Sequence, residues 1–381
     1  MKKRIGIFCE AGCRYKYPHP LDLAELAARS GAGQAFVFGP EDEKVVQWNS
    51  GRGFAYKALV SAELVKKNPS LSNIVFTTKA IPELFKLDAV VVTTTVTLLI
   101  GLISRVLGKQ TVYYAFELMV PGRPGSGRYS VFQLLLRYMN ISVYTTGRPR
   151  SRMLKKALAL KRTPKAVDCS ALLETASSPT PGNVTLREWA ESHIGARPRL
   201  LVALNAGLTE SRCLDLVLET AAQLPKDIVF AMNGPISRIW LDRLNVVGAR
   251  SGNCLYYGEV EGSRMDLINF LRGADIGLVL QKSRRADILN DRLYTPNKLF
   301  DFIAAGVPVI CSRQITLRLA RENGFGIVLK ALTTECLRLE LEALASDAQF
   351  LSTLMHNASN AFESRYHYEV SSAELLGEML S

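Results

Sequence analysis

The sequence predicts an α/β protein built as two doubly wound parallel-sheet domains that face a common cleft. Three observations carry that expectation. Short β-branched apolar runs alternate with helical periodicity along the chain, the pattern of βαβ units rather than of hairpins. The alternation occurs twice, before and after a turn-rich stretch that contains Ser177-Ser-Pro-Thr-Pro-Gly182. The length of 381 residues suits two domains, and the charge divides with them: residues 1–165 hold 26 Lys+Arg against 10 Asp+Glu, whereas the remainder carries a small acidic excess. Hydrophobic residues at 48% and charged residues at 22% are ordinary globular values, which excludes a collagen, a coiled coil or a wholly disordered chain.

The expected strands of the first half are Ile5–Phe8, Ala35–Phe38, Ile74–Thr77, Ala89–Val92, Gln110–Tyr114 and Ile141–Thr145. Helical patterns at Leu21–Arg29, Ala55–Lys66 and Tyr129–Met139 separate them. In the second half the strands are Leu200–Leu204, Ile228–Met232, Cys254–Tyr257, Ile276–Leu280, Pro308–Cys311 and Ile327–Leu329. Helices are expected at Arg212–Leu224, Ile236–Val246, Arg264–Arg272, Pro296–Ala305 and Leu317–Glu322. This gives an N-terminal domain over 1–170, a linker over 171–198 and a C-terminal domain over 199–360. A closing helix at 361–381 is expected to pack back on the N-terminal domain.

Met1-Lys-Lys-Arg-Ile5 resembles the start of a signal peptide, but the apolar run ends at Glu10, and a first strand is the better reading. The longest uncharged stretch, Ala89–Ser104, is shorter than the ~18–20 apolar residues a spanning helix needs. It divides into a strand and a helix, so no transmembrane span is expected. The seven cysteines (Cys9, Cys13, Cys169, Cys213, Cys254, Cys311 and Cys336) show no Cys-x-x-Cys spacing and read as reduced thiols of a cytoplasmic protein. With only four His and no Asp-x-Asp motif, no metal is expected.

The most informative segment is Tyr294-Thr-Pro-Asn-Lys298-Leu-Phe-Asp301-Phe-Ile-Ala-Ala-Gly306-Val-Pro-Val-Ile310. Thr295 suits an N-cap, Pro296 the first helical position and Gly306 the stop. The first turn, Asn297 and Lys298 included, presents backbone N–H groups and a cation to an anion such as phosphate. Asp301 lies one turn on, within reach of the sugar hydroxyls of a nucleotide. The same features also suit a capped helix that binds nothing.

This segment resembles the signature Pro-(Asn/Ser)-Lys-Leu-(Phe/Tyr)-(Glu/Asp) of the family 4-like glycosyltransferases, which have the GT-B fold of two Rossmann-like domains. Other segments resemble the family in the same order: Leu204-Asn-Ala-Gly207 with Arg212-Cys213-Leu214, Gly273-Ala-Asp275-Ile-Gly277, Glu322-Asn-Gly324-Phe-Gly326 and Ala361-Phe-Glu-Ser-Arg-Tyr366. In the first half, Val112-Tyr-Tyr-Ala-Phe116-Glu117-Leu118 resembles a family strand end.

The resemblance implies a retaining enzyme that moves a sugar from a UDP- or GDP-sugar to a glycan or lipid-linked acceptor of surface polysaccharide, either lipopolysaccharide or exopolysaccharide. No cofactor or metal is implied. Gly207, Arg212, Asn297, Lys298, Leu299, Asp301 and Gly234 would hold the nucleotide and diphosphate, and Glu117 and Asp301 are the candidate catalytic carboxylates. The chain departs from the family at Leu293, where an acid is usual, so Asp287 and Asp291 are both candidates for the donor sugar. Gly207 replaces a family arginine, and Phe116 replaces a histidine.

The loop after the first strand offers Gly12, Arg14, Lys16 and His19 toward the acceptor. Between Glu117 and Asp168 no acidic residue occurs, while eleven Lys and Arg crowd between Arg123 and Lys165. That 123–165 segment suits an anionic membrane surface, which would place the protein at the inner face of the membrane. Two other readings stand beside this one. A GT-B nucleotide-sugar 2-epimerase would need acids and a histidine set in the cleft. A nucleic-acid-binding protein would leave the helix at Pro296 unexplained and shows no recognisable module, so no nucleic acid is expected.

Overall fold

The structure, a computed structural model, describes residues 2–9, 19–43, 45, 53–94, 97–116, 136, 138–168, 170–173, 184–282, 293 and 296–381. The chain forms two compact units, one of Met1–Cys169 with Tyr368–Ser381 and one of Ser170–His367.

The first unit holds a seven-stranded sheet of order β3-β2-β1-β4-β5-β6-β7. Its strands are β1 (Lys3–Phe8), β2 (Gly33–Pro40), β3 (Ala55–Val60), β4 (Ala89–Val92), β5 (Gln110–Ala115), β6 (Ser142–Thr146) and β7 (Lys165–Val167). Every pairing is parallel. The interior strands read as unbroken apolar runs because both faces are covered, and all four residues of β4 are buried.

Helices α1 (His19–Arg29), α2 (Ala62–Lys67), α3 (Pro69–Leu84), α4 (Leu98–Val106) and α5 (Arg148–Ala157) connect the strands. Parallel crossovers are right-handed, so the connections stepping from β3 to β4 and on to β7 lay α3, α4 and α5 on one face. The connection through α1 steps the other way and lies on the opposite face. There α14 (Tyr368–Leu380) packs against α1 and across β4, β5 and β7. The Tyr144 hydroxyl donates to Glu378 at 2.7 Å, and Lys165 pairs with Glu374 at 2.8 Å.

Two expectations fail in this unit. Ile74–Thr77, read as a strand for its β-branched residues, lies inside α3. The Asn68 side chain caps that helix by accepting from the Leu71 amide at 3.0 Å, Pro69 opens it, and Ser72, Phe76, Ala80 and Leu84 are buried at helical spacing. Ala55–Lys66, read as one helix, is the edge strand β3 followed by α2, with Ser61 capping the latter. Pairing of β3 with β2 overrides the local helical pattern. The expected helix at Tyr129–Met139 lies largely outside the described residues.

The second unit holds a six-stranded parallel sheet of order β10-β9-β8-β11-β12-β13. The strands β8 (Leu200–Asn205), β9 (Ile228–Asn233), β10 (Cys254–Gly258), β11 (Ile276–Val279), β12 (Val309–Cys311) and β13 (Gly326–Val328) fall where the sequence predicts them, within a residue or two. Its helices begin with α6 (Leu186–Ile194), α7 (Leu214–Ala221), α8 (Arg238–Ser251), α9 (Arg264–Leu271) and α10 (Asn297–Ala304). They continue with α11 (Leu319–Glu322), α12 (Thr334–Ser346) and α13 (Ala348–Ala361).

Leu200, Val202, Phe230 and Leu344 belong to a buried cluster beneath this sheet. Each such side chain contributes roughly 1.5–3 kcal/mol relative to exposure. Residues 184–198, expected as linker, are packed into this unit. Helix α6 carries a Thr185/Glu188 capping box, buries Leu186 and Ala190, and pairs Arg187 with Asp275 at 2.6 Å. Cys9, Cys213, Cys254 and Cys311 are buried and form no disulfide. Among the described residues no helix is long and apolar enough to cross a membrane.

Candidate functional site

In the second sheet, β8 is flanked by β9 and β11, and the strand order reverses between β8 and β11. Doubly wound sheets bind ligands outside the carboxyl ends of their strands at such a reversal. The segments that follow the strands of this sheet carry the expected Gly207, Arg212, Gly234, Asn297, Lys298, Leu299 and Asp301.

After β8 comes Gly207, exposed, and a single 3-10 turn at Glu210–Arg212. Cys213 then takes a left-handed conformation at φ 62° and starts α7. Arg212 is half-buried and donates to the side-chain oxygen of Gln281, which follows β11. This contact spans the reversal point. Gln281 is itself tied down, since its amide donates to the Ser312 hydroxyl at 3.0 Å and its carbonyl accepts from Gln314 at 2.8 Å.

After β9 comes Gly234, at φ +124°. A Cβ there would sit 2.1 Å from the Ala206 carbonyl oxygen, so the turn requires glycine. Just before it, the buried Asn233 donates to Asn205 at 3.0 Å, joining the ends of β9 and β8.

Helix α10 begins with Pro296 in extended conformation at the cap position and Asn297 as its first residue. That is one residue later than the sequence predicts, and Thr295 lies outside the described residues. The stop is at Gly306, φ +72°, as expected. Leu299, Phe300, Phe302 and Ile303 are all 0% exposed, so the helix is sunk in the core.

Lys298 is carried down with it. Its side chain is buried, at 7% residue exposure, and its Nζ has no hydrogen-bond partner among the described residues. Burial, reinforced by the positive charge of Arg212, lowers its pKa to about 7, while the neighbouring Cys213 and Cys311 act in the opposite sense. Burial raises the Cys213 thiol to about 11. A desolvated lysine without a partner beside an arginine, in the first turn of a helix, is an arrangement that an anion would complete.

Asp301 is not left open as the sequence reading had it. Its Oδ1 accepts from Arg264 Nε at 2.7 Å and pairs with Nη2 at the same distance. Arg264 also donates to the Ser170 carbonyl at 2.6 Å. Burial pushes the Asp301 carboxyl up, against the pull of Arg264.

The remaining expected residues are placed differently. His19 is 1% exposed at the start of α1, between the rings of Phe116 and Tyr368 at 5.7 Å each, rather than in an open loop. Leu293 is buried. Glu117, Asp287, Asp291, Gly12, Arg14 and Lys16 lie outside the described residues.

Sequence reading missed Arg264, Gln281 and the Asn205/Asn233 pair. For the asparagines a signal existed: each is a polar residue closing an apolar strand. Thr93, Thr94 and Thr97 show the same signal after β4, beside the reversal point of the first sheet. There the Thr97 hydroxyl accepts the Thr93 and Thr94 amides at 3.1 and 3.0 Å.

No family model matches the chain, and no curated protein matches it in sequence. Solved structures do match in fold. The structure of HepE from Anabaena in complex with UDP-glucose superposes with a TM-score of 0.75 at 13% identity, over 99% of each chain. A glycosyltransferase from Rickettsia africae gives 0.75 at 13% identity, over 100% of this chain and 99% of the other. WaaG, a glycosyltransferase involved in lipopolysaccharide biosynthesis, gives 0.69 at 14% identity, over 98% and 99%. The fold of this chain is therefore GT-B, two Rossmann-like domains.

Proposed function

We propose that this chain is a glycosyltransferase that takes its sugar from a nucleoside-diphosphate sugar. The observation that carries the reading is Lys298, a buried ammonium group without a hydrogen-bond partner at the first turn of α10, with Arg212 beside it. The GT-B fold shared with HepE, whose structure was solved with UDP-glucose, supports the same assignment.

Lys298 and the first-turn amides of Asn297 and Lys298 would hold the distal phosphate, the Leu299 amide being committed to the Pro296 carbonyl at 3.2 Å, and Arg212, steadied by Gln281, would hold the other. These donors would stabilise the charge that grows on the leaving diphosphate, the point at which fixed dipoles and cations most accelerate such a reaction. Gly207 and Gly234 let the backbone approach the nucleotide. Asp301, oriented by Arg264, would accept from ribose hydroxyls. Glu117 and one of Asp287 or Asp291 would face the donor sugar. Acceptor contacts fall to Gly12, Arg14 and Lys16.

The acceptor is a glycan or lipid-linked precursor of surface polysaccharide, and transfer proceeds with retention and without a metal. The basic 123–165 segment would keep the protein at the cytoplasmic face of a membrane where such acceptors reside.

A melting panel with UDP, GDP, CMP and TDP tests the donor site. One nucleoside diphosphate should raise Tm, and the shift should vanish in Arg212→Ala and Lys298→Ala. No shift with any of the four would overturn the reading.

A further inference from the structure

Helix α3 is apolar on two opposite sides. Its inward side is Ser72, Phe76, Ala80 and Leu84. On the far side stand Leu71, Ile74, Ile81 and Phe85, which are 44, 63, 37 and 65% exposed. At 100° per residue these four centre about 155° from the buried side, with Thr78 between them. The neighbouring α4 repeats the feature, with Leu99 and Val106 exposed seven residues apart on its outer side. Tyr138, 80% exposed, follows on the connection to β6. A surface helix in water has no reason to show large apolar side chains outward in such a row.

The charge around this ridge is one-sided. Helix α5 lies in the same layer beyond the connection from β5 to β6, and it exposes Arg148, Arg152, Lys155 and Lys156, followed by Lys161 and Arg162. Among the described residues none of these six forms an ion pair. The one acid of α3, Glu83, is already matched by Lys57 at 2.6 Å and Lys86 at 3.2 Å, and the bond from Lys57 holds its carboxyl below the usual range. An apolar ridge that shares its layer with a row of cations unpaired among the described residues, with no unmatched acid on α3, α4 or α5, is complementary to a lipid bilayer with anionic headgroups.

We propose that the outer face of the α3–α4–α5 layer docks the first unit on an anionic membrane. Leu71, Ile74, Ile81 and Phe85 enter the boundary of the acyl chains, and the α5 cations lie over lipid phosphates. This rests on the membrane reading of the basic segment and adds an apolar component that the basic segment lacks. It does not depend on the donor site.

Flotation with vesicles of phosphatidylcholine, with and without about one-third phosphatidylglycerol, tests it without any nucleotide. The wild type should float with the anionic vesicles. Ile74→Ser/Phe85→Ser should lose about tenfold in bound fraction at low salt while keeping its Tm, because both side chains already face water. Lys155→Glu/Lys156→Glu should lose binding through its electrostatic part and resemble the wild type in about 0.5 M KCl. Binding by the wild type with no loss in Ile74→Ser/Phe85→Ser leaves only the basic segment and overturns the proposal. So does a wild type that ignores vesicles but dimerises by light scattering, with Ile74→Ser/Phe85→Ser monomeric. A nucleotide-induced rise in Tm, present or absent, reports on the donor site separately.

Discussion

Arg264 clasps Asp301 across 37 residues of sequence, through two of its nitrogens at 2.7 Å, with side-chain exposures of only 10% and 7%. The pair fixes the start of α9 to the second turn of α10, and the second bond of Arg264, to the Ser170 carbonyl, fixes both to the start of the second unit. A buried pair of this kind is costly to break from one side, because the abandoned charge has no water to turn to.

Arg264→Ala should therefore destabilise the second unit by about 3–5 kcal/mol in urea titration, and Arg264→Met paired with Asp301→Leu should recover most of that loss. Additive losses in the double variant would show that the two side chains do not act as a pair.

Lys298 should oppose folding of the empty protein near neutral pH. Its folded pKa of about 7 lies below the ordinary 10.5, so between those values the unfolded chain binds more protons. Stability attributable to this group should rise with pH from about 7 and level off near 10.5. Lys298→Met should flatten that slope and stabilise the empty protein at pH 7 by an amount on the order of a few kcal/mol, read from urea midpoints across pH.

The same group should make nucleotide binding consume a proton. At pH 8 the empty site holds mostly neutral lysine, and a bound diphosphate would restore the ammonium. Calorimetry in buffers of different ionisation enthalpy should report uptake approaching about one proton for the wild type and near zero for Lys298→Met. Equal uptake in both proteins would place the titrating group elsewhere.

Gly207 and Gly234 should respond in opposite ways to one added methyl group. The nearest atom to a Cβ at Gly207 is 4.0 Å away, an ordinary contact, whereas at Gly234 the Ala206 carbonyl oxygen would stand at 2.1 Å with φ at +124°. Gly207→Ala should keep its Tm. Gly234→Ala should lose about 1–3 kcal/mol or more and displace the loop after β8, with loss of the nucleotide-induced shift in Tm.

The layered α/β architecture was legible in the linear order of residues, and the second unit most of all. Runs such as Leu200–Leu204 and Ile228–Met232 are short, apolar and bounded by turn residues, so a local pattern has only one good solution. Helix α10 was legible for the same reason, through Pro296 before it and Gly306 after it.

What stayed hidden depends on partners far away in the chain. Ile74-Val-Phe-Thr77 reads as a strand until Asn68 caps a helix and Phe76 finds the core. Asp301 reads as an open acid until Arg264 arrives. Lys298 reads as a solvated phosphate ligand, and its pKa near 7 comes only when α10 is buried on every side and Arg212 is brought alongside. Hydrophobic periodicity and capping are local and survive in one dimension. Desolvation, charge pairing and the outward row of Leu71, Ile74, Ile81 and Phe85 come into being only once packing has determined which sides of each element water still reaches.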